Sequence, residues 1–310
     1  MEKWDFALPP AYAFLGLNGL ENDATAIRNA KPGSNELLIK RAMVVSVVTE
    51  NGLLESFLAD RWPDGAPPQV QPELEQLKKI YERYKQFKPL TCEHIRNALR
   101  DIDPGLVDAD LALRSAVKAT QGLPPSEGRF VAEVCVVADW GSFRLQGFPF
   151  KDRIAMAREL EGCWSVLQPM QSHYANDWDT ETKMLLKAVD DLASSTALLP
   201  ERGDRNSQLS FLSKYLHFCI NRGFPIWDSN ARLVLGGNAE LTWASYKEWL
   251  SLVRQEVAKH RECLERARRE QDHLQGESLV RTLDKALYII GIRIVGSADA
   301  GELHVAVTLE

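Results

Sequence analysis

The chain has 310 residues, of which 45% are hydrophobic, 26% charged and 8% aromatic. That length fits one large domain or two modest ones, and the apolar content suffices for a packed core, which excludes a disordered or low-complexity protein. Lysine and arginine total 37 against 43 acids, a net charge of −6. This excludes a histone-like basic coat but leaves room for a local basic site, because steering depends on where charges sit.

Residues 1–70 read as irregular, punctuated by Pro9-Pro10, Lys31-Pro32-Gly33 and the 63–68 proline-glycine cluster. Between them, 43–48 is a short apolar run consistent with a buried strand or with part of a helix over 35–58. From Pro72 the pattern turns helical, with Leu74, Leu77, Tyr81, Tyr84 and Phe87 at three- and four-residue steps. Thr91 caps a helix predicted over 92–100, and Pro104-Gly105 precedes another around 108–119. The 122–128 stretch is the clearest internal break. After it, valine-rich 130–138 reads as a strand. Helices follow at about 150–167, 179–195, 207–221, 229–235, 243–274 and 277–291, and alternating 303–309 reads as a terminal strand. The expected fold class is mainly α with a small β-sheet (α+β). Residues 1–125 form a mostly helical N-terminal region and 126–310 a second region, joined as one composite fold.

Five cysteines, Cys92, Cys135, Cys163, Cys219 and Cys263, are odd in number and widely spaced. They argue against a disulfide framework or zinc knuckle and for a reducing compartment. The N-terminus lacks the pattern of a signal peptide, and the longest apolar run is far short of the ~20 residues that span a bilayer. A soluble cytoplasmic protein is expected, with no membrane and no protein partner indicated. There is no GxGxxG behind a strand, no GxxxxGK[ST], no HExxH and no GxSxG. The six histidines show no metal-ligand spacing, so neither cofactor nor metal is expected.

The informative segment is 207–235. Its helix is apolar almost all round, yet Ser210, Lys214, His217 and Asn221 fall on one line at i, i+4, i+7 and i+11. A buried lysine needs a partner or water, so this stripe is either a structural ion pair or the wall of a site. Arg222-Gly223 ends the helix where a left-handed cap is wanted. Phe224-Pro225-Ile226-Trp227 is extended, and Asp228-Ser229-Asn230 opens the next helix, putting the carboxylate at its positive end. Taken alone, Asp228 is an ordinary N-cap. Between Arg202 and Arg232 five basic residues face two acids, a local charge of +3 that leaves −9 for the rest. The basic window coincides with the candidate site, as a phosphate backbone would require.

These residues resemble the helix-hairpin-helix (HhH-GPD) DNA glycosylases, which place a lysine on one helix and an aspartate at the start of the next. The Ser213-Lys214-x-Leu216-His217-Phe218 and Pro225-Ile226-Trp227-Asp228 runs are most similar to bacterial proteins of 8-oxoguanine-glycosylase fold. Residues 281–288 look like the closing helix of that group. The close match spans about forty residues. The glycine-rich hairpin that precedes the lysine helix in the family is degenerate here, with only Gly203 in 201–207.

The resemblance implies helical glycosylase-like lobes, double-stranded DNA as partner, and excision of a flipped damaged or modified base. Asp228 would stabilise an oxocarbenium-like sugar, and Lys214 would attack it as an amine or hold a phosphate. Trp227, Tyr215, Phe224 and His217 would meet the base. Arg205, Asn206, Ser207, Ser210, Arg222, Ser229, Asn230 and Arg232 would contact DNA. The base is the family's 8-oxoguanine or, given the divergent first half, a bulky phage-type modification. The competing readings are a non-catalytic DNA-binding protein on the same scaffold and a helical protein-interaction domain in which Lys214 and Asp228 form a structural pair.

Overall fold

Thr91 accepts the N–H of His94 while the His94 ring accepts that of Thr91, a capping box that starts helix α1, Cys92–Arg100. Asp103 caps α2, Pro104–Gln121, with proline at its first position. The computed structural model describes residues 86–140, 150–171, 178–195, 207–235 and 242–295, with Lys79 and Arg83. The helices that follow are α3 Glu127–Trp140, α4 Phe150–Gly162, α5 Trp164–Gln171, α6 Trp178–Ser195 and α7 Ser207–Tyr215. A π-helical turn, Leu216–Ile220, continues α7. Then come α8 Ser229–Leu235, α9 Trp243–Lys259, α10 Arg261–Glu270, a 3₁₀ turn Asp272–Leu274 and α11 Leu279–Val295.

The described residues are all-α, and this corrects the expected α+β class. The predicted strand at 130–138 lies inside α3. Its buried residues, Phe130, Val134, Val137 and Ala138, recur at helical spacing, and Arg129 pairs with Glu133 one turn on. Valine's strand preference is weak against such a burial pattern. The predicted strand at 303–309 lies outside the described residues, as do the apolar run at 43–48 and nearly all of the helical pattern from Pro72. The single long helix expected over 243–274 is broken at His260, which closes α9 and precedes α10.

One hydrophobic core runs through these helices, from Ile95 and Leu99 of α1 through Phe130 and Val134 of α3 to Leu283, Leu287 and Ile290 of α11. α11 sits centrally, touching α1, α8, α9 and α10. Cys92 and Cys263 form a disulfide that ties the start of α1 to α10, against the expectation of no disulfide. The cysteines stand 171 residues apart, and only the fold brings them together. Cys135, Cys163 and Cys219 form no disulfide. No described helix is long and apolar enough to cross a membrane.

Candidate active site

The π-turn reshapes the polar stripe read from the sequence. Ser210 and Lys214 lie on regular helix and touch, the lysine Nζ donating to Ser210 Oγ at 2.8 Å. Beyond Tyr215 the helix widens, closing with the Asn221 N–H on the Leu216 carbonyl, so later side chains rotate off the line. His217 is buried and its Nδ1 lies 2.7 Å from the Phe224 carbonyl. A carbonyl only accepts, so Nδ1 carries the proton. Burial first, then the Arg281 charge, push the imidazole down to about 3, so it is neutral. Asn221 donates to the Met170 carbonyl instead of facing a cleft. Gln121 and Gln171, from α2 and α5, both donate to the Cys219 carbonyl inside the turn, each at 2.9 Å.

Gly223 does not supply the expected left-handed cap, since the positive φ among the described glycines belongs to Gly276. Crowding accounts for it instead: a Cβ at 223 would come within 3.0 Å of Leu185, Asn221 and Glu181.

The link from 224 to 227 is neither helix nor ladder strand, and side chains hold its backbone residue by residue. Phe224 O meets His217, Pro225 O accepts from the Tyr246 hydroxyl at 2.9 Å, and Ile226 O accepts from Trp249 Nε1 at 3.0 Å. The Trp227 N–H donates to Ser213 Oγ at 2.9 Å. Without these partners the link would leave its backbone groups unpaired in the core, a costly outcome. The clamps also fix where the chain delivers Asp228.

Asp228 caps α8. Its Oδ1 accepts the N–H of Asn230 at 2.8 Å and of Ala231 at 3.2 Å, while Oδ2 accepts no hydrogen bond among the described residues. The residue is half-buried. Its charge acts on Lys214, which is also half-buried. Burial lowers the lysine's proton affinity below its ordinary value, and nearby Arg281 adds to the lowering. The Asp228 and Asp284 carboxylates oppose it. Burial has the larger effect, so the net direction is downward.

Arg281 and Asp284 belong to a buried ionic chain that the sequence reading did not assign to the site. Arg281 Nη2 grips both oxygens of Asp110 on α2, at 2.9 and 2.8 Å, and Nη1 donates to Asp284. Lys285 bridges Asp110 and Glu277, which Arg114 also approaches. Burial alone would raise the Asp110 carboxyl, but Arg281 and Lys285 bring it below the usual range. Asp284 goes the other way, pushed up to about 6 by burial and by the Asp228 charge against the pull of Arg281. One turn on, Tyr288 is pushed up to about 12 by burial and by Asp228. The signal was present: three of the four charges of an otherwise mostly apolar helix, Arg281, Asp284 and Lys285, stand within five residues, the fourth being Arg293 near its end. Among the described residues no three His, Cys, Asp or Glu side chains gather to hold a metal.

The other expected site residues divide sharply. Trp227, Tyr215, Phe224 and His217 are all buried in the core, which removes them as surfaces for stacking a base. Tyr215 donates to Glu133 at 2.7 Å, and Trp227 packs near Tyr246 and Trp249. They are core because 211–227 is the middle of the molecule, enclosed by α3, α9 and the link clamps. Arg232 lies over the Trp227 ring at 4.3 Å, and burial brings it down to about 10 against the Asp228 charge. Arg222 donates to the Gly276 carbonyl, and Asn230 offers its N–H to Asp228. Arg205, Asn206 and the side chains of Ser207 and Ser229 lie outside the described residues. The half-buried aromatics nearest the ionic chain are Trp140 and Phe218, in edge contact at 4.9 Å with Arg281 below both rings. Compared with family models, curated proteins and solved structures, the chain matches none.

Proposed function

We propose that the protein is a DNA glycosylase of the helix-hairpin-helix kind, which excises a damaged or modified base from double-stranded DNA in the cytoplasm. One observation carries this reading: Asp228, held at the start of α8 by two N–H groups on one oxygen, has a second oxygen that accepts no hydrogen bond among the described residues, and its charge reaches a lysine whose proton affinity burial lowers. The clamped link supports it further, because a catalytic carboxylate must be held in place before the substrate arrives.

N-glycosidic cleavage builds positive charge on the sugar, and the free oxygen of Asp228 is suited to stabilise it. The Lys214 amine adds to the anomeric carbon as the base leaves with the electron pair of the glycosidic bond. The departing base takes up the proton that the amine sheds on bonding to carbon. Arg222, Asn230 and Arg232, with Arg205 and the serines of this basic window, are proposed to meet the phosphate backbone.

The test is incubation with duplexes carrying 8-oxoguanine and, in parallel, with phage DNA bearing bulky modified bases, scoring abasic sites. Asp228→Asn is expected to lower base release about 100- to 1,000-fold with binding retained, the scale seen when an electrostatic stabiliser is removed. Full activity in that variant overturns the reading. Binding without base release on any substrate selects the non-catalytic scaffold, and no nucleic-acid binding at any salt selects the interaction domain. Borohydride trapping of a protein–DNA adduct, lost in Lys214→Met, is expected if the amine attacks.

A further inference from the structure

α11 and α8 approach more closely than side chains permit. A Cβ at Gly291, buried in α11, would stand 2.4 Å from the Asn230 carbonyl oxygen, 2.6 Å from its Cβ and 2.7 Å from its carbonyl carbon. Two of these three atoms are backbone, so no rotamer change relieves the overlap. Helix propensity favours alanine over glycine in a helix interior, so the glycine runs against local preference and answers to the contact. Asn230 is also one of the two residues whose N–H groups hold Asp228 Oδ1. The far side of that turn is fixed by the clamps on 224–227. Gly291 is thus the point where α11, which carries Arg281, Asp284 and Tyr288, sets the depth of the turn that carries Asp228.

We propose that Gly291 is a positioning residue for Asp228: the bare backbone at 291 lets the Asn230 carbonyl seat against α11 and so fixes the aspartate relative to Lys214. This rests on the glycosylase reading for its consequence in catalysis, and on the contact alone for its consequence in structure. Any side chain at 291 forces the first turn of α8 outward by about an ångström, a displacement able to cost about 100-fold in rate when it falls on a catalytic group.

The experiment compares wild type with Gly291→Ala in the full chain. Single-turnover base release, measured at saturating duplex so that any loss of binding is taken out, is expected to fall about 100-fold. Ile290→Ala, a cavity in the same helix that leaves the bare backbone at 291 intact, is the control: it lowers stability and leaves the rate per folded molecule unchanged. If Gly291→Ala alone does not fold, the comparison moves to an Asn230→Gly background, where the 2.6 Å contact is gone and a glycine backbone lets the turn yield to the two backbone contacts that remain; there alanine at 291 is expected to slow release about tenfold relative to Asn230→Gly alone. Unchanged rates in both backgrounds overturn the proposal. A wild-type protein inert on every duplex instead refutes the glycosylase reading. In that case amide hydrogen exchange decides: the Asn230 and Ala231 N–H groups are expected to lose at least about tenfold protection in Gly291→Ala, and equal protection overturns the positioning role.

Discussion

Two buried arginines in this molecule stand in similar surroundings and do different work. Arg129 pairs with Glu133 at 2.9 Å and lies under the rings of Phe130 and Trp164. Arg281 pairs with Asp110 and Asp284 and lies under Trp140 and Phe218. Around Glu133 the account closes locally: one cation, one anion, and the neutral hydroxyls of Tyr215 and Thr120. Around Arg281 it does not close locally. Asp110 is shared with Lys285, which also reaches Glu277, while burial and the Asp228 charge leave Asp284 up near 6. The first cluster fastens α3 to α7. The second extends along α11 to α2, and its charges act on Lys214, His217 and Tyr288.

The comparison is broken most forcefully by removing each arginine. Arg129→Met and Arg281→Met are each expected to cost about 3–5 kcal/mol in urea unfolding, because each strands a buried carboxylate. If the contrast is right, only Arg281→Met also moves the pH dependence of adduct formation. Losing a positive neighbour raises the proton affinity of Lys214, so the profile shifts to higher pH. A matching shift in Arg129→Met would erase the distinction.

A smaller effect concerns acid stability. His217 is neutral in the fold down to about 3 but titrates at its ordinary 6.5 when unfolded. It therefore withdraws stability as pH falls through that window, at up to about 1.4 kcal/mol per unit. Asp284 acts oppositely: between roughly pH 4 and 6 the folded chain holds a proton that the unfolded chain has lost, so stability rises as pH falls. The two partly cancel in wild type. His217→Gln, followed by denaturant unfolding at pH 7 and pH 5, is expected to uncover the Asp284 contribution as a relative gain at pH 5.

The smallest change is Asp284→Asn. It removes a negative neighbour of Lys214 while leaving Arg281 its grip on Asp110. The adduct pH profile is expected to shift to lower pH, opposite in sign to Arg281→Met. Shifts of the same sign in both variants would refute a shared electrostatic origin.

Much of the second half was legible because its signals are local. Thr91 and His94 form a capping box within four residues, the turn before α8 announces itself through proline and aspartate, and Tyr246, Trp249, Val253 and Val257 mark the inward face of α9. Lys214 and Asp228 were placed for the same reason, being fourteen residues apart on one helix–turn–helix. What escaped depends on distance along the chain. Asp110 meets Arg281 across 171 residues, as Cys92 meets Cys263, and no spacing rule reports either. The buried fate of Trp227, Tyr215 and Phe224 escaped too, since a ring near a site looks the same in sequence whether it lines the site or props it. The valine run in α3 misled because composition was read ahead of periodicity.

The π-turn at 216–220 has a consequence for how this segment tolerates change. It seats one residue more than a regular helix would over the same rise, an insertion kept in place by the two glutamines at Cys219. Deleting a single residue there would restore ordinary winding and carry the Cys219 carbonyl away from the two amides that hold it. Gln121 and Gln171 would then face an empty position, although neither side chain were altered. Length, at this one spot, is under tighter constraint than composition.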